Sequence, residues 1–298
     1  MTTSRETKPR VLLDGLAMVE SPRWHDGRLW FPHWGTPEIV AVDLEGNAEV
    51  MAKGPSGLGH SIGWLPDGRM LVTGDELTRY EPDGTTVIHA DLTHITNAIW
   101  SEMTIDGRGN IYVNSIGFDF SEMVERVSDP SKAPTGVIAL VTPDGHHARK
   151  VADEIAFPNG MVITPDNQTL IVSESFTGAL VAFDIAHDGS LSGRRTWADG
   201  LGPDGISLDA EGAIWTSTRD NGCVRVAEGG QILDRIQLDR ACFATMLGGP
   251  DGRTLFVMAN EFLGPDKFDE MLAKACGDVL REFFEDRRGG GPGPPGDG

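Results

Sequence analysis

Two acidic residues and one amide stand beside prolines at equivalent places in a repeating sequence pattern. They are Glu20, Asn159 and Asp204, flanked by Pro22, Pro158 and Pro203. The prolines stiffen the backbone that orients the three side chains. Carboxylate and amide oxygens are hard ligands suited to a divalent cation, with water completing the shell. Taken singly, each residue has the alternative of being an ordinary turn residue. Three such residues at one phase of a repeat favour a metal site.

The repeat that carries these residues has six units. Each unit has a strand of about five residues, a turn of the Asp-Gly type and a second strand rich in β-branched, Leu or aromatic residues. The units begin at Glu20, Ser61, Ser101, Asn159, Asp204 and Ala244, with spacings of 41, 40, 58, 45 and 40 residues. A period of roughly 40–45 residues with several short strands is typical of propeller blades. We therefore predict an all-β, six-bladed β-propeller, with the six starting residues converging at one mouth of the central channel.

The predicted propeller fills residues 11–286 as a single domain. RVLLDGLA at its start and DVLREFFED at its end are predicted to pair and close the ring, which removes open sheet edges. We expect residues 1–10 to be flexible and the Gly/Pro-rich tail at 287–298 to be disordered. The long spacing contains an insertion at 117–136, which is either a loop covering the site or a plain surface loop. The segment KFDEMLAKACGDVLREFFED fits a capping helix or a degenerate last strand.

The net charge and the cysteine content exclude several classes of partner and of metal site. The 25 basic and 45 acidic residues give a formal net charge of −20, which argues against nucleic acid or an anionic membrane as a partner. Three widely spaced cysteines without a CxxC pair indicate neither a disulfide framework nor a thiolate zinc site. The chain shows no signal-peptide core and no apolar run long enough to span a membrane. We expect a cytoplasmic monomer or homodimer.

Three stretches carry a resemblance to a known family. ESPRWHDGRLWF, FPNGMVITPDNQTLIVSESFTGALVAFDI and PDGISLDAEGAIW are similar to the SMP-30/gluconolactonase/regucalcin (LRE-like) family of six-bladed propellers. The resemblance covers nearly all of the chain up to about residue 260. It implies a single divalent cation at the channel mouth, held by Glu20, Asn159 and Asp204. These are the residues that the phase of the repeat selects.

One position departs from the family pattern. Many members carry an Asn-Asp pair at the start of blade three, where this chain has Ser101-Glu102. A hydroxyl is a shorter and weaker ligand than an amide oxygen, so the fourth ligand is water or a different substrate is oriented there. We expect Ser101, Glu102, Ser61 and His33 to contact the substrate.

The resemblance implies lactone hydrolysis with a small-molecule lactone as substrate. A cation would act as a Lewis acid on the carbonyl, with Asp204 as both ligand and general base. Oxygen ligands favour Ca²⁺, and also Mg²⁺ or Mn²⁺, while Zn²⁺ and Fe²⁺ stay open. The alternatives are an isomerase or cyclase on the same propeller, and a protein that binds a cation without catalysis.

Gly59-His60-Ser61-Ile62-Gly63 matches the G-x-S-x-G nucleophile elbow of serine hydrolases. A strand hairpin follows it, so we interpret the match as accidental.

Overall fold

The structure is a computed structural model and describes residues 9–119, 122, 124–125 and 135–283. Its strands are β1 (Arg10–Leu16), β2 (Arg23–His25), β3 (Arg28–His33), β4 (Glu38–Val42), β5 (Ala48–Lys53), β6 (Ile62–Trp64), β7 (Met70–Val72), β8 (Leu77–Tyr80), β9 (Thr86–Ala90), β10 (Trp100–Ile105), β11 (Ile111–Ser115), β12 (Thr135–Val141), β13 (Ala148–Ala156), β14 (Pro158–Ile163), β15 (Thr169–Glu174), β16 (Ala179–Ile185), β17 (Leu191–Ala198), β18 (Ser207–Leu208), β19 (Ile214–Thr218), β20 (Gly222–Val226), β21 (Ile232–Gln237), β22 (Ala241–Gly248), β23 (Thr254–Asn260) and β24 (Gly277–Phe283).

Six four-stranded antiparallel sheets confirm the predicted six-bladed propeller. Blades 1 to 5 are β2–β5, β6–β9, β10–β13, β14–β17 and β18–β21, each in chain order. Blade 6 combines β22, β23 and β24 with β1 from the other end of the chain. The predicted closure is therefore present, with Val11 opposite Leu280 and Leu13 opposite Val279.

An aspartate at the start of the turn fixes the first hairpin of most blades. Asp106 Oδ1 accepts hydrogen bonds from the backbone N–H of Arg108 at 2.8 Å and of Asn110 at 2.9 Å. Asp209 accepts the N–H groups of Glu211 and Ala213 in the same way, both at 2.9 Å. Such side-chain bonds to the following backbone hold a tight turn. This chemistry explains why an aspartate recurs at the turn of the repeat.

Apolar side chains fill the space between neighbouring blades. One cluster joins Tyr112 and Ile138 of blade 3 to Leu170, Val172 and Phe183 of blade 4. Another joins Leu16 of β1 to Phe31 of blade 1 and Phe256 of blade 6. Each blade therefore packs face to face on the next, as in stacked sheets. The first strands line the central channel, because Trp24, Trp64, Met103, Met161, Leu208 and Met246 surround one cavity of about 670 Å³.

The segment from Lys267 onward forms both a helix and a last strand, the two alternatives that its sequence allowed. A short 3₁₀ turn, Pro265–Lys267, leads into helix α1 (Phe268–Lys274), whose Met271 is buried. Ala275 adopts a left-handed conformation with φ 46° after the helix, and β24 then begins at Gly277. Most of the predicted loop at 117–136 and all of the predicted tail at 287–298 lie outside the described residues. Within the described ranges, no helix has the length and apolar character needed to cross a membrane.

Candidate functional site

The structure brings Glu20, Asn159 and Asp204 together where the innermost strands begin. Glu20 precedes β2, Asn159 is the second residue of β14, and Asp204 precedes β18. The side chain of Asn159 hydrogen-bonds that of Asp204, and the charge of Asp204 acts directly on the carboxyl of Glu20. Blades 4 and 5 are also tied by their backbones, because Gly160 N donates to Asp204 O at 3.2 Å.

Backbone hydrogen bonds hold the segment that presents Asp204. Ser173 Oγ donates to Asp204 O at 2.7 Å, and Ser175 Oγ donates to Pro203 O at 2.8 Å. Gly205 N donates to Phe243 O at 2.8 Å and so joins the segment to blade 6. Three bonds from two neighbouring blades leave this short segment little freedom. The backbone from which the Asp204 side chain projects is therefore held by the protein itself before any ligand arrives.

The segment around Glu20 uses unusual backbone conformations to present its side chain. Met18 and Ser21 adopt left-handed conformations with φ 57° and 49°, which non-glycine residues seldom do. Glu20 is 4% exposed and Ser21 is 2% exposed. Strained residues of this kind persist only where the surroundings hold them, and they are concentrated at functional sites.

Burial and like charge raise the pKa values of both predicted carboxylate ligands. Burial raises the pKa of Glu20 well above its ordinary value, and the charges of Asp204 and Glu102 add to the effect. Burial, with the charge of Glu102, raises the pKa of Asp204 to about 8, against the hydrogen bond from Asn159. Three acidic side chains thus share one poorly solvated region, which is costly without a compensating cation.

These residues fit a divalent cation on chemical grounds. Asp204 Oδ1 is buried and has no hydrogen-bond partner among the described residues. An orphaned carboxylate oxygen beside a second carboxylate and an amide oxygen is the donor set that a hard cation prefers. No cluster of three His, Cys, Asp or Glu residues with metal-binding geometry occurs in the described ranges. The candidate set therefore reaches three ligands only through the amide of Asn159.

Glu102 lies next to the cluster but is engaged by other protein groups. Its Oε1 accepts a hydrogen bond from Ser21 Oγ, and its Oε2 accepts one from Arg23 at 3.2 Å. Its backbone N–H donates to Asn114 Oδ1 at 3.1 Å. Only 4% of the residue is exposed. Contact between Glu102 and a substrate is thus left as a prediction, since both of its oxygens already have protein partners.

The other predicted substrate contacts differ in how accessible they are. Ser101 is half-buried, and its carbonyl accepts a hydrogen bond from Thr73. Ser61 is fully buried, with its hydroxyl 3.3 Å from that of Thr73. Nε2 of His33 accepts a hydrogen bond from the backbone N–H of Ala17 at 2.8 Å, and Nδ1 is hydrogen-bonded to the Thr36 hydroxyl. Of these three, only Ser101 is not buried, and its contact with a substrate stays a prediction.

The structural context of Ser61 matches its interpretation as an accidental motif. The residue leads directly into β6, and β7 follows after a tight turn, with Gly68 N donating to Leu65 O at 2.9 Å. A nucleophile elbow needs a helix after the turn. Residues 61–72 contain none.

Two residues of the site region were absent from the sequence-based prediction. Arg23 bonds Glu102 from blade 1, and Asn114 Nδ2 donates to Asn159 O at 2.8 Å from blade 3. Asn114 is fully buried inside β11. Asparagine is uncommon inside strands, so this residue carried a usable signal. Arg23 carried none, because its partner is far away in the sequence.

The cavity of about 670 Å³ does not coincide with the candidate site. Its wall is formed by the later residues of the innermost strands and by hairpin turns such as Pro165–Asn167 and Pro250–Gly252. It therefore occupies the other half of the channel. Arg23 lines it and also reaches Glu102, so this side chain lies between the cavity and the carboxylate cluster.

Comparison with known proteins agrees with this architecture. The model of a family described as the SMP-30/Gluconolactonase/LRE-like region matches residues 18–261. A 6-deoxy-6-sulfogluconolactonase from Pseudomonas putida is 33% identical over 123 residues, which are 39% of this chain and 42% of the relative. Pentonolactonase XacC from Haloferax volcanii is 30% identical over 138 residues, 43% of this chain and 46% of the relative. The chain thus spans less than half the length of these two curated relatives.

A solved structure supports the fold over almost the whole chain. The crystal structure of regucalcin, a calcium-binding protein from Agrobacterium tumefaciens, superposes with a TM-score of 0.72 at 21% identity. The superposition covers 92% of this chain and 93% of that one. At this identity the likeness concerns the fold, and the chemistry has to be argued from the residues themselves.

Proposed function

The chain belongs to the SMP-30/gluconolactonase/LRE-like family, and from that premise we propose that it is a divalent-metal-dependent hydrolase that opens a lactone ring. The observation that carries the proposal is the orphaned Asp204 Oδ1, buried beside Glu20 and Asn159. Two relatives bear lactonase names, which supports the reaction class. The calcium-binding description of the regucalcin structure supports Ca²⁺ as the first cation to test, ahead of Mg²⁺, Mn²⁺, Zn²⁺ and Fe²⁺.

Each residue has a distinct task in this proposal. When bound, the cation supplies Lewis acidity toward the lactone carbonyl. Glu20 and Asn159 hold it, together with Asp204. Asp204 also accepts the proton of the attacking water, because its buried carboxylate would lie beside both the cation and that water. Ser101, half-buried at the mouth, orients the substrate.

A lactone panel tests the proposal. Sugar, alkyl and aryl lactones are offered to the protein with and without chelator, and ring opening is followed with a pH indicator. We expect turnover that chelator abolishes and added Ca²⁺ restores. Asp204→Asn keeps the side-chain shape but removes the charge and the base, so kcat/KM should fall at least about 10³-fold. Asp199→Asn is the matched control, since Asp199 is exposed on the same connection and should keep full activity.

The two rival functions give different results in the same panel. Full activity after metal removal, or in Asp204→Asn, would contradict the mechanism. Tight binding of Ca²⁺ with no turnover of any lactone would point to a cation-binding protein. An isomerase or cyclase would likewise turn over no lactone in this panel, but it would convert its own substrate with the same dependence on metal.

A further inference from the structure

A chain of side-chain contacts connects blade 1 to blade 3 past the intervening blade 2. Arg23 lies on β2, while Glu102 and Met103 lie on β10. The guanidinium NH2 donates to Glu102 Oε2 at 3.2 Å and to Met103 O at 2.8 Å, and NH1 donates to Pro22 O at 2.9 Å. Because its side chain is only 22% exposed, this ion pair is only weakly screened by solvent.

The same contacts occupy the carboxylate of Glu102 with hydrogen-bond donors of the protein. Ser21 Oγ donates to Oε1, so both carboxylate oxygens have a protein partner. Ser21 directly follows Glu20 and is held in a left-handed conformation. Asp204 differs from Glu102, because its Oδ1 has no protein partner in the described part of the chain. Asp204 thus has an oxygen open to a cation, whereas each carboxylate oxygen of Glu102 is already bonded by the protein.

The charges of this group match one divalent cation. In their ionised forms, as a bound cation would hold them, Glu20, Glu102 and Asp204 carry three negative charges, and the guanidinium of Arg23 offsets one of them. The remaining two are those of the predicted ligands. In oxygen-lined sites the number of charged ligands determines which cations bind and how tightly. An additional free carboxylate would favour a cation of higher charge.

We propose that Arg23 is a specificity-determining residue of the site, which restricts it to divalent cations by holding Glu102 out of ligation. The inference rests on the proposed metal site. Without Arg23, Glu102 turns toward the cation and the site gains a third ligating carboxylate. Arg23 itself touches neither cation nor substrate in this account.

The test measures binding rather than activity. Chelator-treated protein is titrated calorimetrically with CaCl₂ and, separately, with LaCl₃, and the ratio of the two affinities is compared between variants. Arg23→Gln should raise the La³⁺/Ca²⁺ ratio at least about tenfold, because charge attraction grows with the cation's charge. Arg28→Gln is the matched control. Arg28 forms an exposed pair with Glu49 on the same blade at 2.9 Å, and its loss should leave the ratio unchanged.

A double variant tests the inference even if Arg23→Gln does not fold. Arg23→Gln combined with Glu102→Gln replaces the ion pair by a neutral pair of similar shape. We expect it to keep the wild-type ratio and to bind Ca²⁺ within about threefold of wild type. A tenfold loss of Ca²⁺ affinity would show that Glu102 is a ligand and would overturn the inference. A folded Arg23→Gln with the wild-type ratio would overturn it too. Wild-type protein that binds neither cation would instead remove the proposed metal site itself.

Discussion

Asp204 and His60 are both buried with a side-chain atom that no described protein group hydrogen-bonds. For Asp204 the orphaned atom is an acceptor beside other acids, which favours a cation as the missing partner. For His60 the orphaned atom is Nε2, and no carboxylate charge acts on the ring. Burial lowers the pKa of His60 to about 4, against a weaker opposing effect of the Gly57 backbone. The buried imidazole of His60 is thus neutral at physiological pH.

The lowered pKa of His60 predicts a loss of stability in acid. The unfolded chain binds a proton at the ordinary pKa of 6.5, whereas the folded chain resists it until about pH 4. The stabilisation is complete above pH 6.5 and declines as the pH falls through this window. Between pH 7.5 and 5.0, His60 should account for a loss of about 2 kcal/mol in the free energy of unfolding.

Urea unfolding at the two pH values measures this effect. His60→Gln should show about 2 kcal/mol less loss between pH 7.5 and 5.0 than wild type, because glutamine does not titrate. His146→Gln is the control, since His146 is exposed and should leave the wild-type pH dependence in place. Equal losses in wild type and His60→Gln would show that this ring does not resist protonation.

At the scale of elements, the sequence predicted best what repeats locally. The Asp-led turns recur because Asp67, Asp106, Asp166, Asp209 and Asp251 all accept a backbone N–H two residues ahead. Such contacts are visible in a window of a few residues. The register of the blades follows from them, and so does the convergence of Glu20, Asn159 and Asp204.

Contacts between distant segments were beyond the reach of the same reasoning. Arg23 and Glu102 are 79 residues apart, and nothing in either local sequence indicates the other. Ser61 and His33 were among the predicted substrate contacts, and in the structure the Ser61 hydroxyl faces that of Thr73 while the His33 ring accepts the N–H of Ala17. The position of a residue within the repeat shows which segment reaches the mouth of the channel. It does not show which way a side chain turns.

A glycine controls how closely the two ligand-bearing segments approach. A Cβ added at Gly160 would lie 2.6 Å from Ile206 N and 2.8 Å from Asp204 O. Neither backbone atom can yield without moving the segment that carries Asp204. Gly160→Ala should therefore separate Asp204 from Asn159 and weaken Ca²⁺ binding at least about tenfold, since metal sites tolerate only small displacements.

Calorimetric titration of the variant with CaCl₂ measures the effect. The matched control is Gly74→Ala in blade 2, where the added Cβ would meet Pro55 at an ordinary 3.4 Å. We expect the control to bind like wild type. Unchanged affinity in Gly160→Ala, with the fold retained, would show that this close approach does not set the ligand geometry.

At the scale of the whole molecule, β1 joins the two ends of the chain. It forms the outer strand of blade 6, and its Leu12, Leu13 and Leu16 pack with residues of blades 1 and 6. The pairing also covers an edge of β24 that would otherwise be open to another chain. The ring is therefore closed by one strand from the N-terminal segment, and each blade has a packed neighbour on both sides.

This closure predicts that two apolar residues of β1 differ sharply in their contribution to stability. Leu16 is 7% exposed within the cluster that joins blades 1 and 6, while Val11 on the same strand is 54% exposed. Leu16→Ala should lower the free energy of unfolding by about 2–4 kcal/mol, through lost burial and the cavity left behind. Val11→Ala should change it by no more than about 0.5 kcal/mol. Urea unfolding followed by tryptophan fluorescence compares the two variants, since Trp24 stacks on Phe256 across this blade interface at 5.4 Å. If both variants lose the same stability, the contacts of β1 do not hold the ring closed.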